Sequence, residues 1–183
     1  MQRLFVAIDL PEPVKEQLAG ICCGLPSARW VKPEQLHLTL RFIGEVDGAL
    51  FREIREALTG INLPPFAMRL KGVGCFPPRK APRVLWVGIE ANDPLGHLRN
   101  RIEAALVHLG LEPEHRKFAP HITIARLQET PLTRLTNFLA GNALFTTDAW
   151  AVEEFHLYES TLSAKGAIHT IEASYPLTII TTA

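Results

Sequence analysis

The sequence predicts an α+β fold of two lobes related by a pseudo-two-fold axis, and three observations carry that prediction. The stretches LHLTLRF (36–42) and PHITIAR (120–126) both write His, apolar, Thr, apolar. Each is preceded by an apolar run, a Pro-bearing turn and a helical pattern: RLFVAIDLPEPVKEQLAGICCGL before the first, VLWVGIEANDPLGHLRNRIEAALVHLGL before the second. Each is followed by another helical pattern and a further strand, GALFREIREALTG then FAMRLKGVGCF, and PLTRLTNFLAG then WAVEEFHLYES. An order of strand, helix, strand, helix, strand that recurs over this length reads as an internal duplication.

The elements follow in turn. RLFVAIDL is eight residues long, closes on Asp-Leu and lacks a small-residue cleavage pattern, so it reads as a first strand and not a signal peptide. Pro13 and Pro94 fall in first helical turns, where a missing N–H costs nothing. Leu95, Leu98, Ile102, Ala105, Leu106 and Leu109 recur at helical spacing, and Gly110 supplies the stop. In each motif strand, alternation puts His37 and Thr39 on one face with Leu38 and Leu40 on the other, and likewise His121 and Thr123 against Ile122 and Ile124. A last strand is expected over AIHTIEASYPLTI.

Composition narrows the function classes. With 183 residues and 47% hydrophobic content, the chain can form one large domain or two small lobes that share a core. No apolar run approaches the roughly 18 residues of a membrane span. Cys22, Cys23 and Cys75 form neither an even-numbered disulfide framework nor a zinc-ligand spacing, and a cytoplasmic location is expected. Lys plus Arg equals Asp plus Glu at 19 each, which argues against a broad positive field that coats nucleic acid. Anions must meet a local cluster, for which the candidates are Arg79, Lys80 and Arg83; Arg116 and Lys117; and Arg41 with Arg126.

If the motif strands occupy equivalent places, their polar faces confront each other across one cleft and bring together His37 and His121, which lie 84 positions apart (121 minus 37). A facing pair of imidazoles can hold one neutral and one protonated member, as general base and general acid require. Displacement at phosphorus suits this symmetry, because attacking and leaving oxygens lie in line on opposite sides. Thr39 and Thr123 are placed to hydrogen-bond the non-bridging oxygens. One His-x-Thr alone would read as an ordinary cleft or surface histidine; its repetition at matching places is what points to catalysis. A metal site is disfavoured, because neither motif carries a carboxylate or thiolate nearby and no HExxH spacing occurs. No GxSxG is present, and the cysteines lie in apolar or turn contexts.

HLTL and HITI resemble the paired signatures of the two-histidine phosphoesterase superfamily, and the flanks RLFVAIDLP, RWVKPEQLHLTLRFIGEV, RKFAPHITIARL and FHLYESTLS resemble its RNA 2′,3′-cyclic phosphodiesterases, the LigT-like 2′-5′ RNA ligases. The resemblance implies a bilobal fold with a central water-filled cleft and a metal-independent, cofactor-free hydrolysis of terminal 2′,3′-cyclic phosphates to 2′-phosphomonoesters. It implies His37 as proton donor to the departing 3′-oxygen, His121 as the base that activates water, and Thr39 and Thr123 as phosphate ligands. Arg126 adds positive charge near the anion, although simple alternation sets it out of phase with His121 and a bend is needed; Arg41 is in phase. Phe118 and Trp30 are candidates to stack a base or else to pack in the core, and Tyr158 to line the cleft or to pack. His97, His108, His115, His156 and His169 read as surface or structural, and SAKGAIHTI departs from the aromatic-containing strand usual there.

The expected architecture is α+β: a bilobal duplicated fold with two pseudo-two-fold-related antiparallel sheets flanked by helices, the active cleft between them, and residues 1–183 as one domain of two interleaved lobes with one motif each. The expected partners are RNA with a 2′,3′-cyclic phosphate end, tRNA fragments among them, or small nucleotides, with no membrane, no obligate protein partner and a monomeric chain. ATP-independent 2′-5′ ligation is the expected reverse-type reaction. The rival readings are a phosphodiesterase for another small cyclic or 2′,5′-linked phosphoester and a non-catalytic RNA-end-binding module.

Overall fold

Alternation along strand β1 (Gln2–Asp9) separates two faces. Leu4, Val6 and Ile8 enter the main apolar core, whereas Phe5 and Ala7 form a small separate cluster with Tyr158 on the opposite side. This division organises the computed structural model, which describes residues 1–179.

After β1 come helix α1 (Glu12–Ala19), the short strand β2 (Ala28–Trp30), a 3₁₀ turn at Pro33–Gln35 and the first motif strand β3 (His37–Val46). Helix α2 (Gly48–Thr59) starts at Asp47, whose carboxylate accepts from the backbone N–H of Ala49 and Leu50 at 3.0 and 2.9 Å, as an N-cap must. Strands β4 (Phe66–Met68), β5 (Leu70–Phe76) and β6 (Val84–Ile89) lead into α3 (Asp93–His108), which has Pro94 in its first turn and buries Leu95, Leu98, Ile102 and Leu106. The second motif strand β7 (His121–Leu127), helix α4 (Leu132–Gly141) and strands β8 (Trp150–Val152), β9 (Glu154–Ser163) and β10 (Gly166–Pro176) complete the order.

The strands form two four-stranded sheets, β10-β9-β1-β3 and β2-β7-β6-β5, and every neighbouring pair is antiparallel. One apolar cluster runs through both, with Leu38 and Leu40 beneath the first motif and Ile122 and Ile124 beneath the second. The sheets adjoin through the motif strands, whose Cα atoms approach within 8 Å. The fold is the α+β arrangement of antiparallel sheets that the duplicated sequence predicts.

Two stretches differ from the sequence expectation. FAMRLKGVGCF and WAVEEFHLYES each read as one strand, but each is broken by a single residue, Arg69 and Glu153. The leading pieces, β4 and β8, pair with each other as a two-stranded ribbon, and the trailing pieces join different main sheets. The change of partner forces the break, and an apolar run carries no sign of it. Within the ribbon Ala67 pairs with Ala151, again 84 positions apart (151 minus 67), so equivalent residues meet at the pseudo-two-fold axis itself.

Candidate active site

Each motif histidine is the first residue of its strand. The Nδ1 of His37 lies 2.7 Å from the carbonyl oxygen of Gln35, and that of His121 lies 2.7 Å from the carbonyl oxygen of Ala119. A carbonyl can only accept, so Nδ1 carries the hydrogen in both rings, and the neutral imidazole keeps its lone pair on Nε2.

A β-bulge then changes the phase of both strands. In β3 the pairing steps from Ala7–Thr39 to Val6–Arg41 and leaves Leu40 over; in β7 it steps from Trp86–Thr123 to Leu85–Ala125 and leaves Ile124 over. Phe5, Ala7 and Asp9 oppose Phe42, Thr39 and His37, while Val84, Trp86 and Gly88 oppose Arg126, Thr123 and His121. The polar face therefore reads His-x-Thr-x-x-Phe in one half and His-x-Thr-x-x-Arg in the other. Arg126 reaches the face of His121 and Thr123 through the bend that alternation alone does not supply.

Arg41 does not share that face. The same bulge turns it toward α3, where its Nε lies 2.6 Å from Glu103 Oε2 and a terminal nitrogen donates to the Glu112 carbonyl at 2.6 Å. Its place is taken by Phe42, which is 60% exposed. Arg41 is thus tied to Glu103 and the Glu112 carbonyl, and not set on the face of His37 and Thr39 where strict alternation puts it.

The first half-site is walled by rings. Phe5 lies 5.0 Å from His37, centroid to centroid, and Tyr158 stacks on Phe5 at 5.0 Å. Tyr158 is buried under this layer and packs below the imidazole, so it supports the cleft floor where the sequence left lining and packing open. His169, expected at the surface or in a structural role, stands edge-on to His37 at 5.2 Å and to Phe5 at 4.9 Å. Its Nδ1 is buried without a partner. The β9–β10 hairpin brings it there, and Gln35 fastens the hairpin by donating its side-chain N–H to the Ala167 carbonyl. Gln35 thus touches the hairpin with its side chain and His37 with its carbonyl.

This covering has an electrostatic effect. Burial pushes the His37 imidazole down to about 4; the Gln35 carbonyl opposes the shift, His169 adds to it, and Asp9 across the strand pair opposes it. Burial lowers His169 as well. The second half-site is built differently. Phe76 meets His121 edge-on at 5.0 Å, and Trp86 lies 6.3 Å away. The indole covers Gly74 so closely that a Cβ there would come within 2.2 Å of it, so glycine makes room for the ring that flanks His121.

Several expected contributors lie elsewhere. Phe118 is partly buried against the main core, with the Arg99 guanidinium 5.7 Å above its ring. Trp30 packs on Phe138 at 6.1 Å. Arg116 is paired with Glu114 at 2.8 Å, while Arg79, Lys80 and Arg83 are exposed. His97, His108 and His115 are exposed, and His156 is buried against the Ser174 hydroxyl at 2.8 Å. The sequence reading missed Phe5, Phe42, Phe76, Trp86 and the position of His169. One signal was available: Leu38 and Leu40 of the core are followed after a step of three by Ile43, partly buried against it, and Ile124 and Ala125 enter the core as neighbours, breaks in alternation that mark the bulge.

Among the described residues no three His, Cys, Asp or Glu side chains are gathered to hold a metal, and no helix is long and apolar enough to cross a membrane. Chemically, the site offers two imidazoles with Nε2 lone pairs, two hydroxyls and one arginine on the faces of adjoining sheets, which suits proton transfer on either side of an anion.

Known proteins are similar to this chain over nine-tenths or more of its length. An RNA 2′,3′-cyclic phosphodiesterase of Thermotoga maritima is 38% identical over 175 residues, covering 92% of this chain and 92% of that protein. One of Archaeoglobus fulgidus is 31% identical over 170 residues, covering 91% and 96%. The crystal structure of E. coli LigT in apo form superposes with a TM-score of 0.80 at 29% identity, covering 97% of this chain and 98% of that one, and its complex with 3′-AMP does so at 0.79. The model of the LigT like phosphoesterases matches twice, over residues 8–86 and 87–169, once for each half that carries a His-x-Thr strand. A duplicated sheet architecture with a histidine opening each motif strand, and relatives of this similarity over nine-tenths of the chain, place it together: this chain belongs to the LigT like phosphoesterase family.

Proposed function

We propose that the protein hydrolyses the terminal 2′,3′-cyclic phosphate of RNA to a 2′-phosphomonoester, within one bilobal domain, by paired imidazole catalysis that needs no metal. The observation that supports this reading is the matched pair of Nδ1 hydrogen bonds, which leaves an Nε2 lone pair on each motif histidine at the start of equivalent strands. The names of the relatives from Thermotoga maritima and Archaeoglobus fulgidus support the substrate class.

His121 Nε2 takes a proton from water as its oxygen bonds to phosphorus, the P–O3′ bond breaks, and His37 delivers a proton to the departing 3′-oxygen. In the free protein His37 is neutral at pH 7. A phosphate monoanion beside it supplies the opposite charge that favours the imidazolium, so His37 takes up its proton as the substrate binds. Thr39, Thr123 and Arg126 hold the non-bridging oxygens. A 5′-hydroxyl in place of water gives a 2′-5′ linkage with the same bond broken, which is ATP-independent ligation.

The test is turnover of a short RNA ending in a 2′,3′-cyclic phosphate with EDTA present, for the wild type and for His37→Ala and His121→Ala. Turnover by the wild type with a large loss in each variant is expected. No turnover, turnover abolished by EDTA, or full activity in either variant would overturn the reading.

A further inference from the structure

The duplication supplies an internal control for the first half-site. The residue 84 positions on from Gln35 is Ala119 (35 plus 84), and the carbonyl of each holds the Nδ1 of the histidine two places later. Their side chains differ. Gln35 donates its side-chain N–H to the Ala167 carbonyl, 132 positions away, whereas the methyl group of Ala119 has nothing to donate. Ala167 lies on β10, which among the described strands is the one member of the first sheet without a counterpart: β9-β1-β3 matches β5-β6-β7, and β10 is added beyond β9.

Two residues past that anchor, His169 stands edge-on to His37 at 5.2 Å and to Phe5 at 4.9 Å. The turn that carries Gln35 is fixed from behind, since the Gln35 backbone N–H donates to the Lys32 carbonyl at 2.9 Å and Leu36 is buried in the core. One residue therefore ties the strand that covers His37 to the carbonyl that orients it. The rings that flank His121, Phe76 and Trp86, sit instead on strands common to both halves. The titratable groups that face His37 are Asp9 on β1, Tyr158 on β9 and His169 on β10.

We propose that Gln35 is a positioning residue that sets His37 apart from His121 as the acid: its side-chain amide locks β10 and His169 over the His37 ring while its carbonyl holds Nδ1. This rests on the proposed function and names what divides the two roles within it. Two imidazoles on equivalent strands have no reason to differ until their surroundings do. A ring kept from water holds a proton less tightly. Once the bound phosphate has charged it, it gives that proton up more readily to the departing oxygen.

Two substitutions in the full chain isolate the amide. Gln35→Met keeps the length of the side chain and removes the N–H donor; Gln35→Lys restores a donor of similar reach. NMR titration of the histidine rings reads the effect without turnover. In Gln35→Met the His37 resonance is expected to titrate about one pH unit higher than in the wild type, with no such change at His121, and Gln35→Lys is expected to reverse the shift. On a 2′,3′-cyclic mononucleotide, Gln35→Met is expected to lower kcat about tenfold at a KM within about twofold, and Gln35→Lys to recover kcat to within about threefold. An unmoved His37 titration in Gln35→Met, or an equal shift at His37 and His121, overturns the proposal whatever happens to kcat. So does a wild type that turns over while Gln35→Met and Gln35→Lys are equally impaired. A His37 shift that Gln35→Lys reverses, with no turnover by any of the three proteins, supports the hold of Gln35 on His37 and overturns the hydrolytic reading.

Discussion

His37 and His121 are held by the same hydrogen bond, Nδ1 to a backbone carbonyl two residues earlier, at 2.7 Å in each half of the molecule. A histidine oriented this way has one tautomer when neutral, and its free nitrogen points away from the backbone that holds it. The expectation is that nitrogen NMR of the neutral rings shows both as Nδ1–H tautomers. Alanine at either position should lower kcat by about 10²- to 10⁴-fold, the range for one positioned acid or base. An Nε2–H tautomer at either position would contradict this geometry.

The burial of His37 also makes stability depend on pH. Its folded value of about 4 lies below the ordinary 6.5, so between those values the unfolded chain binds a proton that the folded chain refuses. Stability therefore rises with pH across that window, and the full gap is worth about 3 kcal/mol. Urea unfolding at pH 7 and pH 4.5 should show a smaller acid loss in His37→Gln than in the wild type. Parallel losses in the two proteins would mean that His37 is not desolvated.

The wall that keeps His37 dry includes His169 and the Phe5–Tyr158 stack, with Asp9 as its register partner across the strand pair. Removal of the ring in His169→Ala should admit water and move the His37 titration upward by about one pH unit or more, toward its ordinary value. His169→Phe keeps the wall and removes a buried nitrogen without a partner, so it should be neutral or stabilising. A His37 titration unmoved in His169→Ala would assign the shielding to the other rings.

Arg41→Ala distinguishes a structural cation from a substrate ligand. It leaves Glu103 without its closest cation and frees the Glu112 carbonyl, so a stability loss of about 2 kcal/mol is expected. KM for the cyclic phosphate should stay within about twofold. A KM raised tenfold at unchanged stability would restore Arg41 to the cleft.

Much of this was legible in the sequence, and the rest was hidden for identifiable reasons. The duplication, the helices and the two His-x-Thr faces follow from periodicity, because His37, Thr39, Leu38 and Leu40 obey strict alternation. Arg41 and Phe42 exchanged roles because one unpaired residue shifts every later side chain to the opposite face, a change visible only in the three-residue step from Leu40 to Ile43. His169 and Phe5 were out of reach for a different reason: a hairpin more than 100 positions along the chain folds over the first motif, and no local pattern encodes that contact.

The most direct test of paired imidazole hydrolysis is phosphorus NMR of a short RNA 2′,3′-cyclic phosphate incubated with the protein in ¹⁸O-enriched water and EDTA. The account predicts a 2′-phosphomonoester carrying one ¹⁸O atom, formed by the wild type and nearly absent with His121→Ala. A 3′-phosphomonoester, or a 2′-phosphate formed equally fast without His121, would contradict it.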